Sequence, residues 1–262
     1  MNNKIKKILE DIVTLDEIRP CKCDAKHEYC LSCPTCRVTK IKPKINYEQL
    51  HQYIDHTILR ADAQTDDIIE LCKQANKYKF KSVCLNPCHI EAAKKYITGK
   101  TTLVCTVIGF PLGANTTVVK LIETQQALDT GAKEIDMVIN IGWLKDKEYQ
   151  KIMSEIHILA TTCQQNDAIL KVIIETCLLT QEEIVIACLI AKKAGADFVK
   201  TSTGFSVKGA VKEDVQLMRD VVGSYMGVKA SGGIRSKEDA IAMLKAGANR
   251  LGTSNSIKIV EP

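Results

Sequence analysis

No run in this 262-residue chain approaches the roughly 18 uninterrupted apolar residues that a bilayer span needs, which argues against a transmembrane helix. The opening residues, MNNKIKKILEDIVTLDEI, also lack the continuous apolar block of a secretory signal, because acids and lysines run through them. A cytoplasmic protein is expected. An excess of charge of one sign is missing too, since 26 Lys/Arg meet 25 Asp/Glu beyond residue 45. A body so close to neutral gives no footprint for nucleic acid or an anionic membrane. The net charge of +5 comes mainly from residues 1–45, with ten Lys/Arg and six Asp/Glu. What remains is an ordinary globular composition, 45% hydrophobic and 26% charged, suited to one large α/β domain with or without a small appendage.

From about residue 46 a two-part unit recurs. Short β-branched runs occur at 82–86, 102–110, 134–140, 169–176, 197–203, 227–233 and 249–254, with a weaker one at 53–59. Between them lie stretches of helical periodicity such as VVKLIETQQALDTGA and EEIVIACLIAKKAGA. Several of these end in Thr130-Gly131-Ala132, Ala194-Gly195-Ala196 or Ala246-Gly247-Ala248, where a glycine just past the helix takes the left-handed conformation at little cost. Eight strands alternating with helices imply parallel βαβ units. A doubly wound sheet shares that pattern, but the count of eight and the lack of a glycine fingerprint after the first strand favour a closed (β/α)8 TIM barrel over residues 46–262.

Both faces of such strands are buried, so the runs should be nearly all apolar. Several are not. Period-two alternation groups Asp55 with Thr57, Asp136 with Val138 and Asn140, Lys171 with Ile173 and Glu175, and Lys200 with Ser202, while Lys229 sits between Val228 and Ala230. An internal salt-bridge lattice is one explanation, although desolvation makes such lattices weak stabilisers. A functional site at the C-terminal mouth of the barrel is the preferred one. Lys200 and Lys229 fall on adjacent strands, of order 5 Å apart. A desolvated lysine beside another cation can present a neutral amine to a carbonyl, with Asp136 as its acid/base partner. Glycine clusters at Thr203-Gly204-Phe205, Ser231-Gly232-Gly233 and Gly252-Thr253-Ser254 follow three consecutive runs, two of them where this fold commonly holds phosphate. A phosphorylated carbonyl substrate is expected.

Six segments, IDHT (54–57), EIDMV (134–138), LKVIIET (170–176), FVKTSTGF (198–205), VKASGGIR (228–235) and RLGTS (250–254), run in order across residues 46–256. Through them the chain resembles the 2-deoxyribose-5-phosphate aldolases, class I aldolases on a (β/α)8 barrel. The resemblance implies reversible cleavage of 2-deoxy-D-ribose 5-phosphate to acetaldehyde and D-glyceraldehyde 3-phosphate, with no cofactor in catalysis. It implies Lys200 as the Schiff-base lysine, Lys229 as the neighbour that lowers its pKa, and Asp136 as a proton relay through water. Asp55, Thr57, Cys84 and Lys171 are expected at the substrate, and Gly204, Gly232, Gly233, Gly252 and Ser254 at its phosphate. Cys84 reads equally as a small core residue. The chain departs from many members at Val207-Lys208-Gly209-Ala210-Val211 and at Asn255, and it ends in Ile259-Val260-Glu261-Pro262 without the C-terminal tyrosine of some members. The alternatives are a class I aldolase for another phosphorylated aldol, or an inactive barrel serving as a scaffold.

Residues 1–45 form a separate extension. Ile5, Ile8, Leu9, Ile12, Val13 and Leu15 share one helical stripe, which suits docking on the protein's own barrel or a subunit, or binding a protein partner. Cys21, Cys23, Cys30, Cys33 and Cys36 follow, with His27 between them. Such spacing can hold a structural zinc or an iron–sulfur cluster, and it is also compatible with plain thiols on a loop or with a zinc knuckle for nucleic acid. The other seven cysteines are expected to be reduced core residues. A homodimer or higher homo-oligomer is expected.

Overall fold

The computed structural model describes residues 45–99, 101–224 and 226–261, and the amphipathic stripe expected to be helical and the cysteine cluster lie outside these. Eight parallel strands close on themselves in chain order: β1 (Ile54–Ile58), β2 (Ser82–Leu85), β3 (Leu103–Ile108), β4 (Glu134–Val138), β5 (Ile169–Ile173), β6 (Phe198–Lys200), β7 (Gly227–Ser231) and β8 (Arg250–Thr253). The weak run at 53–59 is the strand that completes the barrel, since β1 pairs with both β2 and β8. The helices that cover it are α1 (Thr65–Tyr78), α2 (Ile90–Tyr96), α3 (Thr117–Thr130), α4 (Ile141–Lys145), α5 (Tyr149–Gln165), α6 (Gln181–Lys193), α7 (Lys212–Val222), α8 (Lys237–Lys245) and α9 (Ser256–Val260). No helix among the described residues is long and apolar enough to cross a membrane.

Local sequence sets the helix ends. Thr180 with Glu183 and Ser236 with Asp239 form capping boxes at the starts of α6 and α8, and the Thr116 hydroxyl accepts from the Val119 amide at α3. Gly131, Gly195 and Gly247, marked in the sequence as helix stops, all have positive φ. The apolar core lies between the strands and the helix layer, where Ile54, Ile135, Leu170, Val199, Val228 and Leu251 face α-helical Leu, Ile and Ala side chains. Of the scattered cysteines, Cys72, Cys84, Cys105, Cys163 and Cys188 are buried as expected, Cys177 is half-buried, and Cys88 is exposed.

Inside the barrel, side chains from alternate strands stack in tiers, as the registers and alternation require. Ser82, Glu134, Phe198 and Arg250 form the floor. Asp55, Cys105, Lys171 and Lys229 lie above it, and Cys84, Asp136, Lys200 and Gly252 above those. Close packing fixes the small members. A Cβ on Gly227 would fall 2.1 Å from the Phe198 ring, whose other neighbour is the Arg250 guanidinium at 5.5 Å from the ring centroid.

Three runs end earlier than alternation predicts. β4 stops at Val138, and the Asn140 side chain caps α4 by accepting from the Trp143 amide at 3.1 Å instead of facing inward with Asp136. β5 stops at Ile173, and Glu175 takes a left-handed conformation (φ 54°), which takes it off the Lys171 face. β6 stops at Lys200. A period of two holds only while the backbone is extended, and each chain turns outward here to reach its helix. Gly227→Ala should lower stability by about 1–3 kcal/mol through overpacking against Phe198, measured as a reduced urea midpoint at unchanged m-value.

Candidate active site

Seven ionised side chains converge inside the barrel, and nearly all are sealed from solvent. Asp136 is the hub. Its Oδ1 accepts from Lys171 Nζ at 2.8 Å, and its Oδ2 accepts from Lys200 Nζ and Lys229 Nζ, each at 2.7 Å. Lys171 also meets Glu134 at 2.7 Å, and Lys229 meets Asp55 at 2.5 Å. Arg250 closes the floor by bridging Asp55 at 2.6 Å and Glu134 at 2.9 Å. Lys200 and Lys229 are register partners on β6 and β7, as their spacing predicts. Gly252 leaves the space that Lys229 needs, since a Cβ there would come 3.0 Å from Lys229 Cε.

The lattice and an open mouth occur together, at different depths. The floor is a salt-bridge lattice, and its top opens into a cavity of about 560 Å³ at the C-terminal mouth. Lys200 lines that cavity together with Thr57, Thr203, Gly204, Phe205, Gly232, Gly233, Gly252 and Ser254. Asp55, Cys84, Lys171, Asp136 and Lys229 lie beneath its wall rather than in it, and all five are fully buried. The glycine clusters converge on one side. Ala210 donates to Ser231 O and Gly232 O, and Gly209 packs on the Gly232 carbonyl, so the loop after β6 is held against the loop after β7. The amides of Gly204, Gly232, Gly233 and Ser254 have no hydrogen-bond partner among the described residues. Four such donors beside one cavity suit an anionic group. Arg60 and Arg235 supply cationic side chains at the rim, and Phe205 stacks edge-on with Phe110 at 5.3 Å between ring centroids.

Charge decides the protonation states. Burial alone would raise the Asp136 pKa, but three lysines outweigh it and hold the carboxyl well below its ordinary range. Asp55 is lowered in the same way, with Arg250 and then Lys229 overcoming desolvation. Burial would lower Lys229, yet Asp136 and Asp55 raise it, so this residue is a fixed cation. Lys171 is likewise raised, by Asp136 before Cys105 and Glu134. Four cations against three carboxylates leave one positive charge in excess. Lys200 is the member of the set that is open to the cavity.

Sequence reasoning missed several of these partners. Arg250 and Glu134 sit at strand starts inside quoted motifs; alternation puts Glu134 on the face of Asp136, two residues on, the signal that could have found it. Cys105, read as a core thiol, donates to Asp136 Oδ1 at 3.2 Å and accepts from Lys171 at 3.3 Å. His56 joins Ser256 and Gln74 through its two ring nitrogens at 2.8 Å each, tying β1 to the start of α9. Burial lowers the pKa of this histidine.

Fold and site together define a (β/α)8 barrel of the enzyme type, with its polar groups gathered at the C-terminal ends of the strands. Residues 50–254 match the model of the DeoC/LacD family aldolases, and the chain belongs to that family. It is 58% identical over 214 residues to the deoxyribose-phosphate aldolase of Clostridium perfringens, covering 82% of this chain and 95% of the relative. It is 54% identical over 219 residues to that of Thermococcus kodakarensis, covering 83% and 98%. Among solved structures, the tetrameric deoxyribose phosphate aldolase of Aeropyrum pernix superposes with a TM-score of 0.75 at 34% identity, covering 82% of this chain and 90% of that one.

The depressed carboxylates have a measurable consequence. Asp55 contributes stability that is fully present above its unfolded pKa of about 3.9 and is lost as pH falls towards its lower folded value. Asp55→Asn should therefore cost about 3–5 kcal/mol at neutral pH by leaving Arg250 and Lys229 under-compensated. That cost should shrink by roughly 1.4 kcal/mol for each pH unit below about 3.9, as read from urea denaturation of both proteins. A difference constant with pH would mean that Asp55 is not ionised in the folded protein.

Proposed function

We propose that this protein is a class I aldolase that reversibly cleaves 2-deoxy-D-ribose 5-phosphate to acetaldehyde and D-glyceraldehyde 3-phosphate. The observation that carries this reading is Asp136 Oδ2, shared at 2.7 Å by Lys200 and Lys229 directly under the cavity. The names of the relatives support the substrate. Lys200, as the neutral amine, attacks C1 of the open-chain sugar, and loss of water with uptake of a proton leaves a protonated imine. Removal of the C3 hydroxyl proton breaks the C2–C3 bond, releasing glyceraldehyde 3-phosphate and leaving an enamine of the two remaining carbons. The enamine is protonated at C2, and water hydrolyses the resulting imine to acetaldehyde and free Lys200. Asp136 passes protons through water, and Lys229 remains charged throughout as an electrostatic neighbour. The free amides of Gly204, Gly232, Gly233 and Ser254 receive the phosphate, and Thr57 faces the sugar. Asp55, Lys171 and Cys84 act from beneath by holding the charges above them in place.

In this reading residues 46–262 are the catalytic barrel and residues 1–45 an accessory extension. Catalysis needs no cofactor. The cluster Cys21, Cys23, Cys30, Cys33 and Cys36 is a candidate for a structural zinc or iron–sulfur group, and the amphipathic stripe before it suits docking on the barrel or a subunit ahead of binding a separate protein partner. The protein works in the reducing cytoplasm as a homo-oligomer, a reading supported by the tetrameric Aeropyrum relative.

Borohydride added with substrate should fix an adduct on Lys200, located by peptide mass spectrometry. Label on Lys171 or Lys229 would defeat the assignment. Lys200→Arg should abolish turnover, because a guanidinium stays protonated and forms no imine. Asp136→Asn should lose about 10²–10⁴-fold in rate, the usual worth of acid/base catalysis. Lys229→Leu should move the pH profile of imine formation upward, and an unchanged profile with weaker substrate binding would reduce Lys229 to a binding role. Finally, a chain beginning at Lys44 should keep most of its activity while losing any stoichiometric zinc or iron. Loss of activity from a folded barrel would show that the extension contributes to the site or to an essential subunit contact.

A further inference from the structure

Glu175 is a buried carboxyl that the chemistry above does not use. It follows β5, is 2% exposed, and holds a left-handed backbone (φ 54°, ψ 65°) rare for a residue with a side chain. Such conformations persist where the surroundings enforce them, and they cluster at functional sites. Among the described residues it pairs with no lysine or arginine. Its carboxyl oxygens accept mainly from the neighbouring loop: the Thr203 amide donates to Oε1 and Oε2 at 3.3 and 3.2 Å, and the Thr203 hydroxyl donates to Oε2 at 2.5 Å, while Cys177 Sγ of its own segment donates to Oε1 at 3.8 Å. Two residues on, Cys177 Sγ lies 3.3 Å from Ser206 Oγ, a second tie between the same two segments.

These contacts determine which donors the cavity receives. Thr203 lines the cavity, yet its amide and its hydroxyl proton are both taken by Glu175. Its oxygen in turn accepts the Phe205 amide at 3.1 Å. Of the Thr203-Gly204-Phe205 segment, only the Gly204 amide is left without an internal partner. We infer that Glu175 is the positioning residue of this wall: by engaging both donors of Thr203 it fixes the loop so that Gly204 N–H serves the phosphate of the substrate. Thr203 is then a strut, and its hydroxyl is not a phosphate ligand. A carboxyl suits this task because it accepts both bonds at once, and its turn on β5 puts it beside β6 without occupying the cavity. The inference deepens the deoxyribose 5-phosphate reading and rests on it.

The decisive readout is the ratio of kcat/KM for deoxyribose 5-phosphate to that for 2-deoxyribose, which isolates the phosphate contribution. Glu175→Gln should reduce this ratio about tenfold or more, mainly through KM for the phosphorylated substrate. Thr203→Val should do the same, while Thr203→Ser, which keeps the hydroxyl, should restore the ratio to within about twofold of the parent. The double variant Glu175→Gln/Thr203→Val should be no worse than either single one, since both break one unit. If Glu175→Gln does not fold, the Thr203 pair carries the test alone. Equal losses on both sugars, or additive effects in the double variant, would make Glu175 a fold residue only and overturn the proposal. A parent enzyme that prefers neither sugar would instead overturn the phosphate reading itself, and this proposal with it.

Discussion

Three ammonium groups and the carboxylate of Asp136 meet in a space closed by eight strands, and none of them can be charged there without the others. Each oxygen of Asp136 has a lysine within 2.8 Å, and the lysines reach on to Glu134 and Asp55. Removing this one carboxylate would leave Lys171 with Glu134, Lys229 with Asp55, and Lys200 with no carboxylate at all among the described residues. Desolvation is severe enough that such a lattice adds little to net stability, so its presence is better explained by chemistry than by folding. Of its three lysines only Lys200 faces the cavity, so the set meets a ligand at one ammonium position.

The rest of the barrel serves this arrangement. Its floor is closed by Arg250 between Asp55 and Glu134, and by Phe198 filling the space that Gly227 leaves open. Its mouth is built from turns whose amides are free to face an anion. The helix layer reaches in beside the site: Lys120 of α3 donates to the Val138 carbonyl at 2.9 Å and pairs with Glu155 of α5 at 2.7 Å, with both side chains fully buried. This pair anchors the end of β4, two residues above Asp136. Rigidity at the floor and backbone donors at the mouth are what a site needs when it must hold an amine at one end of a sugar and a phosphate at the other.

The strands were legible because polar residues interrupted otherwise β-branched runs, and the helix ends because Gly131, Gly195 and Gly247 stood at stops. Lys200 and Lys229 were legible as a pair because adjacent strands in a closed barrel must bring them together. Alternation failed at Asn140 and Glu175, since it assumes extended backbone and neither residue lies in a strand. Arg250 and Glu134 were hidden for a different reason. Alternation puts Glu134 on the face of Asp136, but each occupies the first position of its strand, where an exposed end and a buried floor look alike in sequence, and only the stagger of the closed sheet brings the two together.

Composition and periodicity by themselves determined an eight-stranded α/β barrel with lysines and a carboxylate on its strands, because burial of both strand faces makes any charge there conspicuous. The resemblance of the motif segments, not that cost, placed the chain among aldolases. Tertiary structure alone decided which lysine meets the cavity, which carboxylate bridges which cations, and that Thr203 turns its donors towards Glu175. Those choices depend on distances of a few ångströms between residues up to 195 positions apart. Such separations are fixed by strand register and tier height, quantities that exist only once the barrel has closed.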